Sequence, residues 1–476
     1  MGASRERPKM KVSALSRSEV AFTRERGQDV MKVFRNTAAE LHPLEKAREY
    51  QRALNAVKLD RVMAKPFVGA LEGHTDGVWC MARSPTSVST ALSGSCDGEV
   101  KVWDLGLRRS VFSIAAHTGF VRGLAVTCDG RGFATCGDDG MVKMWRMGQG
   151  EGLGTAGMRD AVGSRFRDGG LSDVPQASFL GTRGAFRGLD THWKDPRRLV
   201  TVAGEHAQVW DTERSDPLRE WTWGCESINT VRFNPAEADV FLTAGSDRSV
   251  VLYDLRSASP TRKLYMQTKT NAFAWNPYEP FNFVCASEDG NCYSYDMRNL
   301  EKGALCVHKD HVGAVMAVDF SPTGREFVTG SYDCTVRIFP YNGGRSREVY
   351  HTNRMQKVFS VRFSGDAHFV LSGSDDSNVR IWKSKRAAPA KIANHRQAQS
   401  LAYSEKLRVK FKDYPEIARI ERFRRVPKAL KKATEVARTK TDSFRRREQN
   451  RRNHSHERDN PKVMPERKRK HLAIEE

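Results

Sequence analysis

The stretch SGSCDGEVKVWD, residues 93–104, decides the fold. Its small residues at Ser93 to Ser95 suit a strand packed closely on its neighbours. Asp97 and Gly98 suit a tight turn, and Val100 and Val102 alternate around Lys101 as a half-buried strand requires. Trp103 and Asp104 close the unit. Working outward from Trp103, aromatic residues recur at Trp145, Trp210, Tyr253, Tyr295, Phe339 and Trp382, with successive gaps of 42, 65, 43, 42, 44 and 43 residues. Five of these gaps are one period, and the long one carries an insertion.

A period of roughly 40–45 residues, opened by a pair such as Gly73-His74 and closed by Trp-Asp, is the mark of a WD40 blade. Asp97, Asp139, Asp247, Asp289, Asp333 and Asp376 each stand six residues before their aromatic, as one repeated hairpin demands, while the third unit has Gly204 at that position. His74, His117 and His311 precede Asp97, Asp139 and Asp333 at a spacing that lets each join its Asp and a Ser or Thr in a buried hydrogen-bonded network. His beside Asp also orients bases in hydrolases. Catalytic pairs do not recur once per repeat, however, so the network reads as structural.

The expected fold class is all-β, a seven-bladed WD40 β-propeller. After Trp382 the chain runs KSKRAAPAKIANHRQAQ, too polar and too rich in Pro and Ala for a last outer strand, whereas FVGAL at 67–71 has strand character. An N-terminal strand is therefore expected to close the last blade and leave no long open edge. The chain divides into a basic N-terminal arm (1–65), the propeller (66–383) and a basic, helical and partly disordered C-terminal extension (384–476). The long gap holds MGQGEGLGTAGMRDAVGSRFRDGG. It reads as a surface loop over about 147–175, since the phosphate-cradling pattern G-x-x-x-x-G-K-[ST] is absent.

The formal net charge of +22 is unevenly placed. Residues 1–69 hold 15 Lys and Arg against 8 Asp and Glu, residues 70–382 hold 35 against 37, and residues 383–476 hold 29 against 12. A near-neutral disc with basic arms suits protein docking on the disc and phosphate contact along the arms. In the extension, Leu407, Phe411 and Tyr414 follow helical spacing with Lys406, Arg408, Lys410 and Lys412 interleaved. Pro415 and Pro427 punctuate two further helical patterns. Arg445, Arg446, Arg447, Arg451 and Arg452 are the leading RNA-contact candidates, and Arg467, Lys468, Arg469 and Lys470 suit an import signal. Few apolar residues lie beyond Phe444, so folding there is expected to need a partner.

Other classes find little to work with. No apolar run approaches the roughly 18 residues of a membrane span, and no apolar stretch follows the charged N-terminus as in a signal peptide. The nine cysteines form no C-x-x-C pair and read as reduced thiols of a cytosolic or nuclear protein. No nucleophile elbow, zinc-ligand spacing or kinase signature occurs. No catalytic site, metal, cofactor, small-molecule substrate or membrane contact is expected.

Several stretches are not generic to propellers: LHPLEKAREYQRALNAVKLDRVMAKPF, HWKD, TWGCESINTVRFNP, SREVYHTNRMQ, and in the tail YSEKLRVKFKDYPEIARI, RRVPKAL and RRREQNRRNHS. Through them the chain resembles, over nearly its whole length, the suppressor-of-fibrillarin WD-repeat family of the small-subunit processome. The resemblance implies a nucleolar, non-enzymatic scaffold in ribosome biogenesis. Its partners would be processome proteins, pre-ribosomal RNA and the small nucleolar ribonucleoprotein. A second role suggested for animal relatives, substrate receptor of a cullin-RING ubiquitin ligase, implies an adaptor-binding box of aromatic, Asp, any residue, Arg. Tyr253, Asp254 and Arg256 fit it, as do Tyr295, Asp296 and Arg298, with Tyr in place of Trp.

Overall fold

The structure is a computed structural model that describes residues 44–147, 174–181, 184–222, 224, 226–388, 394–456 and 465–475. Residues 1–43 of the basic arm and 148–173 of the Gly-rich loop lie outside the described residues. Two compact units are present, one of residues up to Val57 with His395–Ala418, the other of Lys58–Asn394 with Arg419 onward.

The larger unit is the expected seven-bladed propeller. Six blades are four-stranded antiparallel sheets and one has a fifth strand; the seventh blade takes its outer strand from Phe67–Leu71, paired through Phe67 to Trp382 and Leu71 to Val379. The insertion that lengthens the gap from Trp145 to Trp210 lies between the third strand of blade two, Met141–Arg146, and its fourth, Ala177–Leu180. Blade cores form where the inward faces of neighbouring sheets meet. Phe241 stacks on Tyr253 at 4.8 Å and Tyr350 on Trp382 at 5.4 Å, aromatic pairs that add to the burial of their area.

The repeated hairpin has a simple cause. Asp97, Asp139, Asp247, Asp289 and Asp333 each accept, through Oδ1, the backbone N–H of the residue two positions on, at 2.9–3.1 Å. This side-chain mimic of a turn fixes the bend that returns the third strand. Beside it Gly98 has φ 87°, and a side chain there would strike the His117 carbonyl of the next blade.

Blade four departs from expectation. A fifth strand, His471–Glu475, adds antiparallel to Arg262–Met266, pairing Leu264 with Ile474 and Lys263 with Glu475. For His471–Glu475 the open outer edge of the blade supplies the hydrogen bonds, and Ile474 packs on the cluster around Leu264 and Met266.

In the smaller unit, α1 (Glu45–Arg61) contributes Tyr50, whose ring meets Phe411 at 6.0 Å and Tyr414 at 5.4 Å and whose hydroxyl donates to Glu416 at 2.7 Å. The helix α2 (His395–Lys410) ends before Phe411, so Phe411 and Tyr414 sit in a turn rather than on the helix. The residue before a proline disfavours the α conformation, and Pro415 itself opens α3 (Pro415–Glu421), where a missing N–H costs nothing. In the larger unit, α4 (Lys428–Asn453), the longest helix among the described residues, follows Pro427.

Candidate functional site

The predicted blade networks are realised unevenly. In blade two, Trp145 Nε1 donates to Thr135 Oγ1 (3.0 Å), Thr135 donates to His117 Nε2 (2.9 Å), and His117 Nδ1 donates to Asp139 (2.8 Å). Blade six repeats Thr329, His311 and Asp333 at 2.7 and 2.9 Å, with Phe339 in place of the indole. Burial keeps His117 and His311 below the ordinary histidine range and therefore neutral. Burial alone would raise the Asp333 carboxyl, but His311 and the Thr335 hydroxyl hold it well below the usual carboxylate range. Both imidazoles are sealed from solvent, at 0% and 1% side-chain exposure, so neither can serve a substrate as base. They tie the segment that enters blades two and six to the second strand and turn of that blade.

Blade one differs. His74 Nε2 meets Ser93 Oγ at 2.6 Å, but Asp97 takes its hydrogen bond from Thr75 instead, and His74 Nδ1 is buried with no hydrogen-bond partner among the described residues. His74, Asp97 and Glu99 lie close enough to share a cation. Lys101 Nζ, 2.9 Å from Glu99, already supplies the positive charge there. Elsewhere the turn Asp finds other partners: Lys263 for Asp247, the Tyr293 hydroxyl for Asp289 and Arg380 for Asp376. The eight described cysteines are free thiols, and burial pushes Cys80 up to about 12.

The basic extension presents its candidates differently along its length. Lys410 is tied to Glu49, whereas Lys406 and Lys412 are exposed and Arg408 is half-buried. On α4, Arg452 is held by Glu448 at 2.8 Å and Arg445 faces Glu466 at 3.8 Å. Arg446, Arg447 and Arg451 are exposed, and none has a carboxylate within ion-pair distance among the described residues. At 1.5 Å per residue α4 is about 39 Å long, and no side chain on it is buried. Arg467 to Lys470 form a turn into the added strand. There Ala304 N donates to the Arg467 carbonyl and Gln267 N to that of Lys470, Lys470 Nζ lies 3.6 Å from Asp289, and Arg469 lies 3.4 Å from Glu448.

The two adaptor-type boxes close neighbouring blades four and five. Tyr253 and Tyr295 are buried in the blade cores, and their arginines stand outside. Arg256 pairs with Asp239, and Arg298 pairs with Asp296 while lying 3.8 Å over the Phe281 ring. Both guanidinium groups are more than half exposed, at 78% and 61%.

Sequence reading missed the residues at the mouth of the central channel, a cavity of about 500 Å3. Their signal was positional: each is the second residue of its blade's innermost strand.

The chain matches the family model of the Sof1-like domain over residues 384–471 and that of the WD domain, G-beta repeat, over 65–104, 108–146, 304–339 and 346–383. It is 44% identical to DDB1- and CUL4-associated factor 13 of Xenopus laevis over 468 residues, covering 98% of this chain and 100% of that protein. It is 42% identical to the Homo sapiens protein of the same name, covering 98% and 99%. Its identity to Protein SOF1 of Saccharomyces cerevisiae is 42% over 458 residues, covering 93% and 91%. A propeller closed by its own N-terminal strand and followed by a Sof1-like extension, aligned end to end with these relatives, places the chain in the Sof1 family of WD-repeat proteins.

Proposed function

We propose that the chain is a non-enzymatic scaffold of ribosome biogenesis, a nuclear and nucleolar component of the small-subunit processome that supports processing of the pre-18S ribosomal RNA. The propeller docks processome proteins, and the basic extension contacts pre-ribosomal RNA and the small nucleolar ribonucleoprotein. Kinship with yeast Protein SOF1 supports the biogenesis role. The observation that carries the RNA contact is α4, a helix with no buried face whose Arg446, Arg447 and Arg451 are free to meet phosphate.

The test is charge reversal of Arg446, Arg447 and Arg451 to Glu in the full chain. RNA crosslinking to α4 should fall, and the salt dependence of RNA binding should flatten by about 0.7 log units per lost contact. Unchanged crosslinking and an unchanged slope remove α4 from the RNA interface.

A second reading, substrate receptor of a cullin-RING ligase, rests on the exposed Arg256 and Arg298 at neighbouring blade ends and on relatives named DDB1- and CUL4-associated factor 13.

A further inference from the structure

All seven innermost strands carry a bulge at the same place. The ladder skips one residue between Val78 and Cys80 in blade one, between Val121 and Gly123 in blade two, and equivalently in the other five. A bulge leaves the extra residue unpaired and re-aims its side chain, and here all seven extra side chains line the mouth of the central channel. Their order around the ring is not random. Consecutive blades six, seven and one contribute Met316, Phe359 and Trp79, blades two and three contribute Arg122 and Arg187, and blades four and five contribute Asn229 and Asn271. One arc is apolar, and the opposite arc is cationic and amide.

Three of the channel's cations are already neutralised. Arg122 holds Asp138 through two hydrogen bonds of 2.8 Å, Arg232 pairs with Asp190 at 3.1 Å, and Arg362 pairs with Asp319 at 3.0 Å. Arg187 and Lys269 have no carboxylate within ion-pair distance among the described residues; Arg187 donates only to Ser227 and Asn229. Asn229 Nδ2 is buried and has no hydrogen-bond partner among the described residues. Two uncompensated cations and a spare amide donor thus face an apolar arc across one cavity.

We propose that this mouth is the docking site of an acidic protein segment. It would set an apolar or aromatic side chain against Met316, Phe359 and Trp79, and lay carboxylates on Arg187 and Lys269. The geometry disfavours nucleic acid. Stacking needs an open ring face, but the Trp79 ring is flanked by Phe359 at 5.0 Å and by the Arg122 guanidinium at 5.0 Å. A charged, partly apolar cleft of this size suits a few peptide residues anchored by one side chain. The inference rests on the protein-docking half of the scaffold reading and supplies the partner's chemistry.

The test uses the purified full chain and a fluorescein-labelled peptide of Glu and Asp around a central Phe-Leu pair, read by polarisation. Saturable binding, weakened about tenfold in the Arg187→Glu, Lys269→Glu variant and in Phe359→Ala, supports the assignment. Three results overturn it: no saturable binding, equal affinity in the variants, or displacement by oligouridylate or by the same peptide with Lys at every acidic position. Because the variants alter exposed or half-buried rim groups, unchanged thermal unfolding identifies any loss as local. Charge reversal on α4 tests the RNA reading separately, so either can fail alone.

Discussion

Arg61, the last residue of α1, donates from Nη1 to Glu348 Oε1 at 2.6 Å across 287 positions of sequence, with both side chains buried. Arg386 reaches the other carboxylate oxygen at 3.5 Å, donates to the Arg61 carbonyl at 3.1 Å, and donates to the Val349 carbonyl at the same distance. Glu348 lies in the outer strand of blade six. One carboxylate therefore fastens the chain entering the propeller and the chain leaving it to the blade beside the closure. A strand of five residues closing a ring is easily frayed, and this cluster fixes both of its flanks.

Replacing Glu348 by Gln should consequently cost far more than a surface substitution. It leaves the Arg386 guanidinium buried without its carboxylate and Arg61 with only Asp60 at 3.4 Å, a change of about 3–5 kcal/mol where one partner of a buried pair is removed. Chemical denaturation should show a lower midpoint with a similar slope. Arg61→Met together with Glu348→Met and Arg386→Met should recover much of the loss. A Glu348→Gln chain as stable as the parent would mean that the cluster is incidental to closure.

The buried histidines predict an acid-sensitive propeller. Burial lowers His308 to about 4, and burial with the nearby Lys101 lowers His74 to about 4. Unfolded histidine titrates near 6.5, so below that pH the unfolded state takes up protons that the folded state refuses. Stability is therefore complete above about pH 6.5 and is lost as pH falls toward 4, with a slope of about 1.4 kcal/mol per pH unit for each such histidine. Thermal unfolding across that window should show it, and His308→Gln should flatten the dependence. A pH-independent midpoint between 6.5 and 4.5 would contradict the assignment.

These two predictions draw on different parts of the sequence. The hairpins were legible because their determinants are local: an Asp, two residues of turn and an aromatic six positions on decide the bend wherever they stand. The strand at 67–71 was legible by elimination, since the end of the repeat array lacked a fourth strand. The triangle of Arg61, Glu348 and Arg386 was not, because nothing near Glu348 says which distant guanidinium it will meet. Blade one shows the limit of spacing itself. His74 and Asp97 stand 23 residues apart, against 22 for His117 and Asp139, and Thr75 takes the place on Asp97 that the histidine has in blades two and six. The rim residues were hidden for another reason: they share a position in the repeat but not a chemistry.

If the ligase reading holds, Arg256→Glu with Arg298→Glu should abolish capture of a cullin-RING adaptor while leaving particle association intact. Both guanidinium groups are exposed and their salt bridges contribute little to stability, so the thermal unfolding midpoint should stay close to that of the parent. Adaptor capture undiminished in the double variant would dissociate the boxes from that role.

The strand His471–Glu475 carries the last prediction. It covers an edge that would otherwise offer the free N–H and C=O groups of Arg262–Met266 to any passing strand. Its hold is modest: four paired positions, one apolar contact through Ile474, and the Tyr265 hydroxyl on Glu475 at 3.2 Å. Ile474→Asp removes the contact and puts a charge on the Leu264 cluster, which should release the strand without unfolding the blade. Hydrogen exchange should then rise in residues 262–266 and stay unchanged in the inner strand of blade four at 228–233. Lys470 and Arg469 should at the same time leave Asp289 and Glu448, because the turn that positions them is anchored by the same strand. Exchange at 262–266 that matches the parent would mean that the turn from Arg467 to Lys470, rather than the strand, holds the end of the chain in place.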